Sequence, residues 1–476
     1  MTTRALFTPA EALAATGGTA RGLINTASGI SIDTRTLAPG DAFFAITGEN
    51  SDGHAYVERA FAAGAAFAVV AADRADGLPH GPMLVVPDVL AALTDFAKAA
   101  RARSHAGIVA VTGSVGKTTT KEALRLALQA DGATHASAAS YNNHWGVPLS
   151  LARLPREARY GVFEIGMNHP GEITPLVRLV CPQVAIITTV EAVHMEAFSG
   201  IEAIADAKAE IFDGLEAGGA AVLNRDNPLF ERLAASARAK GVARIVSFGA
   251  DPQSDVRLVD VALHPRCSIA VAQVLGTPVT FKIGMPGRHI VQNALAVLAA
   301  ASLIGADLAL AAVSLAHLRP PPGRGVPLDL AVLGGSATLL DESYNANPAS
   351  MRAAIDVLSR TPVGPRGRRI AVLGDMLELG PEGALHHREL AGALDAARID
   401  TVFCAGPLMH ALWEALPSSR RGGYALHASH LEPLISAAIR AGDTLMVKGS
   451  NGSRMGPLVK ALCDRFRVSG DALLEG

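Results

Sequence analysis

Cysteine, aromatic side chains and unbroken hydrophobic stretches are all scarce in this sequence, and each shortage removes a class of explanation. The four cysteines, Cys181, Cys267, Cys404 and Cys463, stand far apart with no CxxC spacing. That excludes a zinc ribbon or a disulfide framework and leads us to expect reduced thiols in a cytoplasmic protein. No apolar run reaches the roughly 18 residues a membrane span needs, and no N-terminal apolar segment reads as a signal peptide. Lysine and arginine never gather into a block, and 42 of them against 44 acidic residues leave a net charge of −2, so a nucleic-acid partner is not expected. Aromatics are 4% of the chain while hydrophobic residues are 49%, so the core is built from alanine and aliphatic side chains, as in helices packed closely on sheets. At 476 residues the chain is long for one core; about three domains of roughly 150 residues are expected.

The most informative stretch is GIVAVTGSVGKTTTKEALRLAL, residues 107–128. Ile108–Val111 reads as a buried parallel strand and Ala123–Leu128 lies in a helix, with Gly113, Ser114, Val115 and Gly116 between them and Lys117, Thr118 and Thr119 opening the helix. Glycines let backbone N–H groups close around phosphate oxygens, and a helix N-terminus adds partial positive charge. A lysine at the mouth reaches the outer phosphates, and the hydroxyl after it can hold Mg²⁺. The longer form of this loop has a glycine where Val111 stands, so the motif is the shorter TGSVGKTT form. We expect a nucleoside triphosphate site there.

The remaining units alternate strands and helices, an α/β pattern with three parts: 1–86, 87–316 and 317–476. In the first, Ser31 and Arg35 at the end of a strand could meet a phosphorylated or sugar-bearing ligand, or Arg35 and Asp33 could simply hold a turn. In the second, YGVFEI places Glu164 at the carboxyl end of a strand, and Val184–Thr189 leads to a loop with Glu191 and His194. Ligands of doubly wound sheets gather outside the carboxyl ends of strands, so Glu164, His194 and Lys117 are expected to face one crevice. His194 is either a metal contact there or a satisfied loop histidine. In IEAIADAKAEIF, Lys208 lies four residues after Ile204 and three before Ile211, on the apolar stripe. A lysine so placed must reach past the core to water, pair, lower its pKa or be modified, and as a carbamate it would be an anionic metal ligand. Asn293 interrupts the apolar helix within GRHIVQNALAVLAAASLIGA and needs a hydrogen-bonding duty, to a nucleotide base or a loop. LRPPPGRG, residues 318–325, punctuates the chain like a linker. Beyond it a strand ends at Asp341, Tyr344 and Asn345 follow in a loop, and Lys448 and Ser450 occupy a second glycine-containing strand-to-helix loop suited to a carboxylate.

TGSVGKTTT, YNNHWGVPLSL, FEIGM, EAVHMEAF, AKAEIF, GRHIVQNALA, GR and DESYNANPASM occur in the order found in the Mur ligases of peptidoglycan synthesis, which the chain resembles along essentially its whole length. The DESYNANP and KGSNGSRM segments are most similar to the member that adds D-alanyl-D-alanine to UDP-N-acetylmuramoyl tripeptide, and the DNPR motif of the diaminopimelate-adding member is absent. The resemblance implies a small N-terminal α/β domain for the UDP substrate, a central P-loop ATPase domain with a mostly parallel sheet, and a C-terminal Rossmann-like domain for the amine substrate.

It also implies roles. Gly113 to Thr119 would hold ATP, with Lys117 and Arg324 on the terminal phosphate, Asn293 at adenine and Asp341 at the ribose. Thr118, Glu164, His194 and Lys208 as its carbamate would hold two Mg²⁺ ions. Ser31 and Arg35 would lie near the uridine nucleotide, Asn142, Asn143 and His144 near the muramoyl peptide, and Tyr344, Asn345, Lys448 and Ser450 near the dipeptide. Two positions depart from the family pattern: Ala209 replaces a frequent glycine and Glu342 a frequent aspartate. A carboxylate would attack ATP's terminal phosphate, and the resulting acyl phosphate would be captured by the amine, in a monomeric cytoplasmic enzyme whose outer units close over the central one. A member that adds a single amino acid, a folate-type glutamate ligase and, more remotely, a nucleotide switch are the alternatives.

Overall fold

The computed structural model describes residues 5–48, 51–138, 140–193 and 195–466. Three sheets follow one another along the chain, with five, nine and six strands. The first takes strands Gly29–Ser31, Asp41–Phe44, Phe67–Ala71 and Met83–Val86 in parallel, with Thr19–Arg21 antiparallel at the edge. Helix Val89–Ala102, capped by Asp88, then carries Phe96 between the rings of Phe7 and Phe44, at centroid distances of 4.5 and 5.1 Å. Such a fully buried ring is worth on the order of 2–3 kcal/mol. The same helix packs against Gly146–Ala152 of the second unit, so one element serves both cores.

The second sheet places Gly107–Thr112 between Tyr160–Glu164 and Val184–Ile187, all parallel. Ile108, Val109, Ala110 and Val111 are completely buried because helices cover both faces, which is why this strand is continuously apolar rather than alternating. Its far side continues in parallel through Ala220–Asn224, Arg244–Gly249 and Val256–Leu263, then turns antiparallel through Ser268–Val274 and Thr277–Ile283. That antiparallel extension is absent from the sequence reading; its strands alternate buried and exposed residues, the mark of a sheet with one solvated face.

The third sheet is parallel through Gly335–Glu342, Thr444–Lys448, Arg369–Gly374, Thr401–Ala405 and Arg421–Ala425, with Val326–Val332 antiparallel at its edge. The proline-rich run is less free than its composition suggests. The Gly325 N–H donates to the Asp341 carbonyl at 2.7 Å and starts the edge hairpin, and the Tyr344 N–H donates to the Gly323 carbonyl at 3.0 Å. No helix among the described residues is long and apolar enough to cross a membrane.

Candidate functional site

The loop after the central strand is held by the neighbouring strand end rather than by itself. The Ser114 N–H donates to the Thr189 carbonyl at 2.8 Å, and the Ser114 hydroxyl donates to the Glu191 carbonyl at 3.0 Å while accepting the Glu191 N–H at 2.9 Å. The Thr188 hydroxyl donates to the Val115 carbonyl at 2.5 Å. Gly113 has φ of +147°, and a Cβ there would lie 1.9 Å from the Thr188 hydroxyl oxygen, so only glycine fits. Helix Lys117–Gln129 begins directly after Gly116, whose φ is +87°. The Lys117 ammonium turns back to donate to the Gly113 carbonyl at 2.7 Å.

This loop forms one wall of a cavity of about 1480 Å³ between the second and third sheets. Ser114 to Thr119, Glu164, Asn293, Arg324, Tyr344, Asn345 and Lys448 all line it. Burial pulls the Lys117 amine below its ordinary pKa; the Glu164 charge opposes this and Arg324 reinforces it, so these three charges feel one another across the cavity. Glu164 is 1% exposed. Its Oε1 accepts from the Asn142 side-chain amide at 2.8 Å, whereas Oε2 is buried with no hydrogen-bond partner. An orphaned carboxylate oxygen is costly unless a cation or a further donor meets it. Thr118 also lines the cavity, so these two side chains offer hard oxygen donors there, which suit Mg²⁺.

Lys208 is 2% exposed, on the core side of helix Ile201–Ala209, as its place on the apolar stripe predicts. It does not snorkel. Burial, with the nearby Lys117 charge as a second cause, holds its amine well below the ordinary lysine pKa of 10.5. His194 lies outside the described residues, and no group of three His, Cys, Asp or Glu side chains with metal-site geometry occurs among those described.

Asn293 sits directly against the phosphate loop: a Cβ on Gly116 would be 2.8 Å from its amide nitrogen. Lys448 is almost fully buried and donates to the Asn345 carbonyl at 2.9 Å and to Glu342 at 3.4 Å. Ser450 stands behind the wall, accepting the Leu377 N–H at 2.9 Å and donating to the Ala346 carbonyl at 3.2 Å, and so ties two strand-end loops together.

Other expected residues are not brought here. Asp341 turns its carboxylate onto the Ser343 N–H and hydroxyl, at 3.0 and 2.6 Å. It is Glu342, its neighbour on the alternating strand, that lines the cavity. Asn143 and His144 line a second cavity of about 950 Å³, which meets the first at Asn142, Gly166, Met167 and Asn168. Ser31 and Arg35 lie on neither wall. The Ser31 hydroxyl donates to the Asp33 carbonyl at 3.0 Å, and the exposed Arg35 forks onto the Asp33 carboxylate at 2.7–3.0 Å, contacts that hold the turn. The sequence reading missed Ser140, Thr188 and Asn224 on the cavity wall. Short polar residues at strand ends are too common to single these out.

Sequence-family models match in the same order: the Mur ligase family catalytic domain over 26–101, the Mur ligase middle domain over 111–301, and the Mur ligase glutamate ligase domain over 330–451. The UDP-N-acetylmuramoyl-tripeptide–D-alanyl-D-alanine ligase of Escherichia coli (strain K12) is 36% identical over 94% of this chain and 96% of its own length. The chain belongs to the Mur ligase family. The Bacillus subtilis (strain 168) enzyme of the same name is 33% identical, over 92% of this chain and 93% of its own. Among solved structures, MurF from Acinetobacter baumannii superposes with a TM-score of 0.81 at 28% identity, covering 96% of this chain and 99% of that one. MurF ligase from Thermotoga maritima in complex with ADP gives a TM-score of 0.73 at 26% identity, over 92% and 98%. As a Mur ligase the chain is an ATP-dependent ligase, and its phosphate loop is the part that such an enzyme needs for the nucleotide.

Proposed function

We propose that this Mur ligase joins D-alanyl-D-alanine to the terminal carboxylate of UDP-N-acetylmuramoyl tripeptide, converting ATP to ADP and phosphate, as a monomer in the cytoplasm. The observation that carries the reading is the convergence of Lys117, Arg324, Glu164 and Lys448 on one cavity. Residues 1–86 take the uridine nucleotide, 87–316 ATP, and 317–476 the dipeptide.

A carboxylate is a poor electrophile. One of its oxygens attacks the γ-phosphorus, the bond to the ADP oxygen breaks, and an acyl phosphate forms. Lys117 and Arg324 neutralise charge on the transferring group. The amine of the dipeptide then attacks the acyl carbon, phosphate leaves, and the nitrogen gives up a proton. Lys448 offers the dipeptide carboxylate its charge. No side-chain nucleophile takes part; holding the reactants in place supplies roughly 7–11 kcal/mol of the barrier.

Gly113 to Thr119 cradle the phosphates and Asn293 faces adenine. The unpartnered Oε2 of Glu164 and the Thr118 hydroxyl would hold Mg²⁺, which when bound would offset the charge of the phosphate oxygens. Combined with CO₂, with release of a proton, the Lys208 amine would become a carbamate, and that carbamate, with His194, would hold a second ion. The acyl phosphate is water-sensitive, so the outer units close over the central one.

The test is ADP release with UDP-N-acetylmuramoyl tripeptide, with and without D-alanyl-D-alanine, beside a panel of single amino acids including glutamate. Sustained turnover with the dipeptide alone is expected. Equal turnover with a single amino acid, or ATP hydrolysis indifferent to any amine, overturns the reading.

A further inference from the structure

The ammonium of Lys121 plays no part in the reaction just described, although its residue lies on the phosphate-loop helix. Its side chain is 0% exposed. It donates to the Ser137 carbonyl at 2.7 Å and pairs with Glu122 at 2.8 Å, whose other oxygen accepts from Arg125 at 2.9 Å. Taking an ammonium out of water is expensive, and a charge-assisted bond to a carbonyl plus a counter-ion is the arrangement that offsets the cost.

Ser137 begins the segment that delivers polar groups to the site. Three residues on, the Ser140 hydroxyl lies 3.4 Å from that of Thr118. Five residues on, the Asn142 amide donates to Glu164 Oε1 at 2.8 Å, while the Asn142 carbonyl accepts the Gly166 N–H at 2.8 Å. Gly166 has no room for a side chain, since a Cβ would come within 2.9 Å of the Asn142 carboxamide carbon. The segment is therefore clamped at both ends: to the phosphate-loop helix through Lys121, and to the strand of Glu164 through Asn142.

We propose that Lys121 and Asn142 are positioning residues that hold the Glu164 carboxylate by Oε1 and so keep Oε2 as the oxygen without a protein partner, available to a cation at the nucleotide cavity. Lys121 fixes where the segment starts and Asn142 occupies Oε1. The inference rests on the reading of Glu164 as a cation ligand, and its test separates the two.

Mn²⁺ serves as the probe, its free signal followed by electron paramagnetic resonance in the presence of ADP, without turnover. Asn142→Ala and Lys121→Met should each weaken Mn²⁺ binding by about 10-fold or more, the range found when partners of metal ligands are removed. Affinity for ADP without metal, measured by calorimetry, should stay within two-fold, which a general loosening of the fold would not allow. The double variant should bind Mn²⁺ no more weakly than the worse single one, because both act through one carboxylate. If Glu164→Gln binds Mn²⁺ as the unaltered protein does, the cation-ligand reading fails and takes this proposal with it. If Glu164→Gln weakens binding but Asn142→Ala does not, the positioning role alone is overturned. Should Lys121→Met not fold, Lys121→Ala, which removes the donor without adding bulk, takes its place; weakened Mn²⁺ binding there supports the role of Lys121, and unchanged binding removes it.

Discussion

The guanidinium of Arg324 lies over the ring of Tyr344, its central carbon 4.1 Å from the ring centroid. The backbone enforces the stack: Gly323, at φ of +71°, accepts the Tyr344 N–H, and a Cβ on Gly323 would strike the Tyr344 Cβ at 2.9 Å. The last residues of the proline-rich run and the first loop of the third unit thus present one arginine to the cavity.

Tyr344→Ala should lower kcat/KM for ATP by about 5-fold, the equivalent of ~1 kcal/mol for a partly exposed cation–π contact. Tyr344→Phe should keep most of the activity. Steady-state kinetics check this; a phenylalanine variant as impaired as the alanine one would mean that the hydroxyl, not the ring, matters.

Lys117→Met should reduce kcat by roughly 100- to 1000-fold, as loss of one preorganised donor to developing charge does. Its melting temperature should hardly fall, because the ammonium's visible bond is to its own loop at Gly113. Single-turnover ADP formation measures the effect, and a kcat within 10-fold of the unaltered enzyme would remove Lys117 from the chemistry.

Lys208 carries a pH signature. Its folded-state pKa is well below 10.5, so between the two values the unfolded chain binds a proton that the folded chain does not. Stability therefore rises with pH across that interval, and protonation below the folded pKa charges a buried site. Lys208→Met should flatten this dependence in thermal melts while abolishing ligase activity. In CO₂-depleted buffer the unaltered enzyme should lose activity and regain it on adding bicarbonate; activity indifferent to bicarbonate argues against the carbamate.

Glu11 gives the opposite sign. Burial raises its pKa, but the Thr8 backbone N–H and the Arg156 guanidinium outweigh burial and bring it from 4.5 to about 2. A depressed carboxylate stabilises the fold above pH ~4.5 and loses that contribution as the pH falls toward 2. With over a third of the Glu11 side chain exposed, solvent screening leaves about 1 kcal/mol. Glu11→Gln should therefore melt lower than the unaltered protein at pH 7 and at the same temperature near pH 2. A difference that persists at low pH would mean that the capping geometry, rather than the charge, is responsible.

The phosphate loop was legible because its chemistry is local: strand, glycines, lysine and helix start are consecutive, and steric limits on φ leave few other conformations. Lys208 was legible for a related reason, since helical periodicity alone places it on the buried stripe. Lys121 bears the same mark, three residues before Leu124 and seven before Leu128, and went unread beside the motif next to it. The antiparallel extension at 268–283 was hidden because apolar residues fall on both faces of its first strand, Ser268–Val274, Ile269 being exposed, so the sequence shows no clean alternation there. Asp341 and Glu342 show the limit of reading a strand end: adjacent residues face opposite ways, and only pairing register says which one meets the cavity.

What the sequence determined by itself was a set of local commitments: three α/β units, an anion-binding loop, and a lysine confined to a helix's apolar side. Each follows from backbone sterics and hydrophobic periodicity acting over a few neighbouring residues. Tertiary structure decided which oxygen of Glu164 is free and that Asn142 occupies the other. Those outcomes depend on residues tens of positions apart meeting within about 3 Å, a distance set by sheet register and helix packing together.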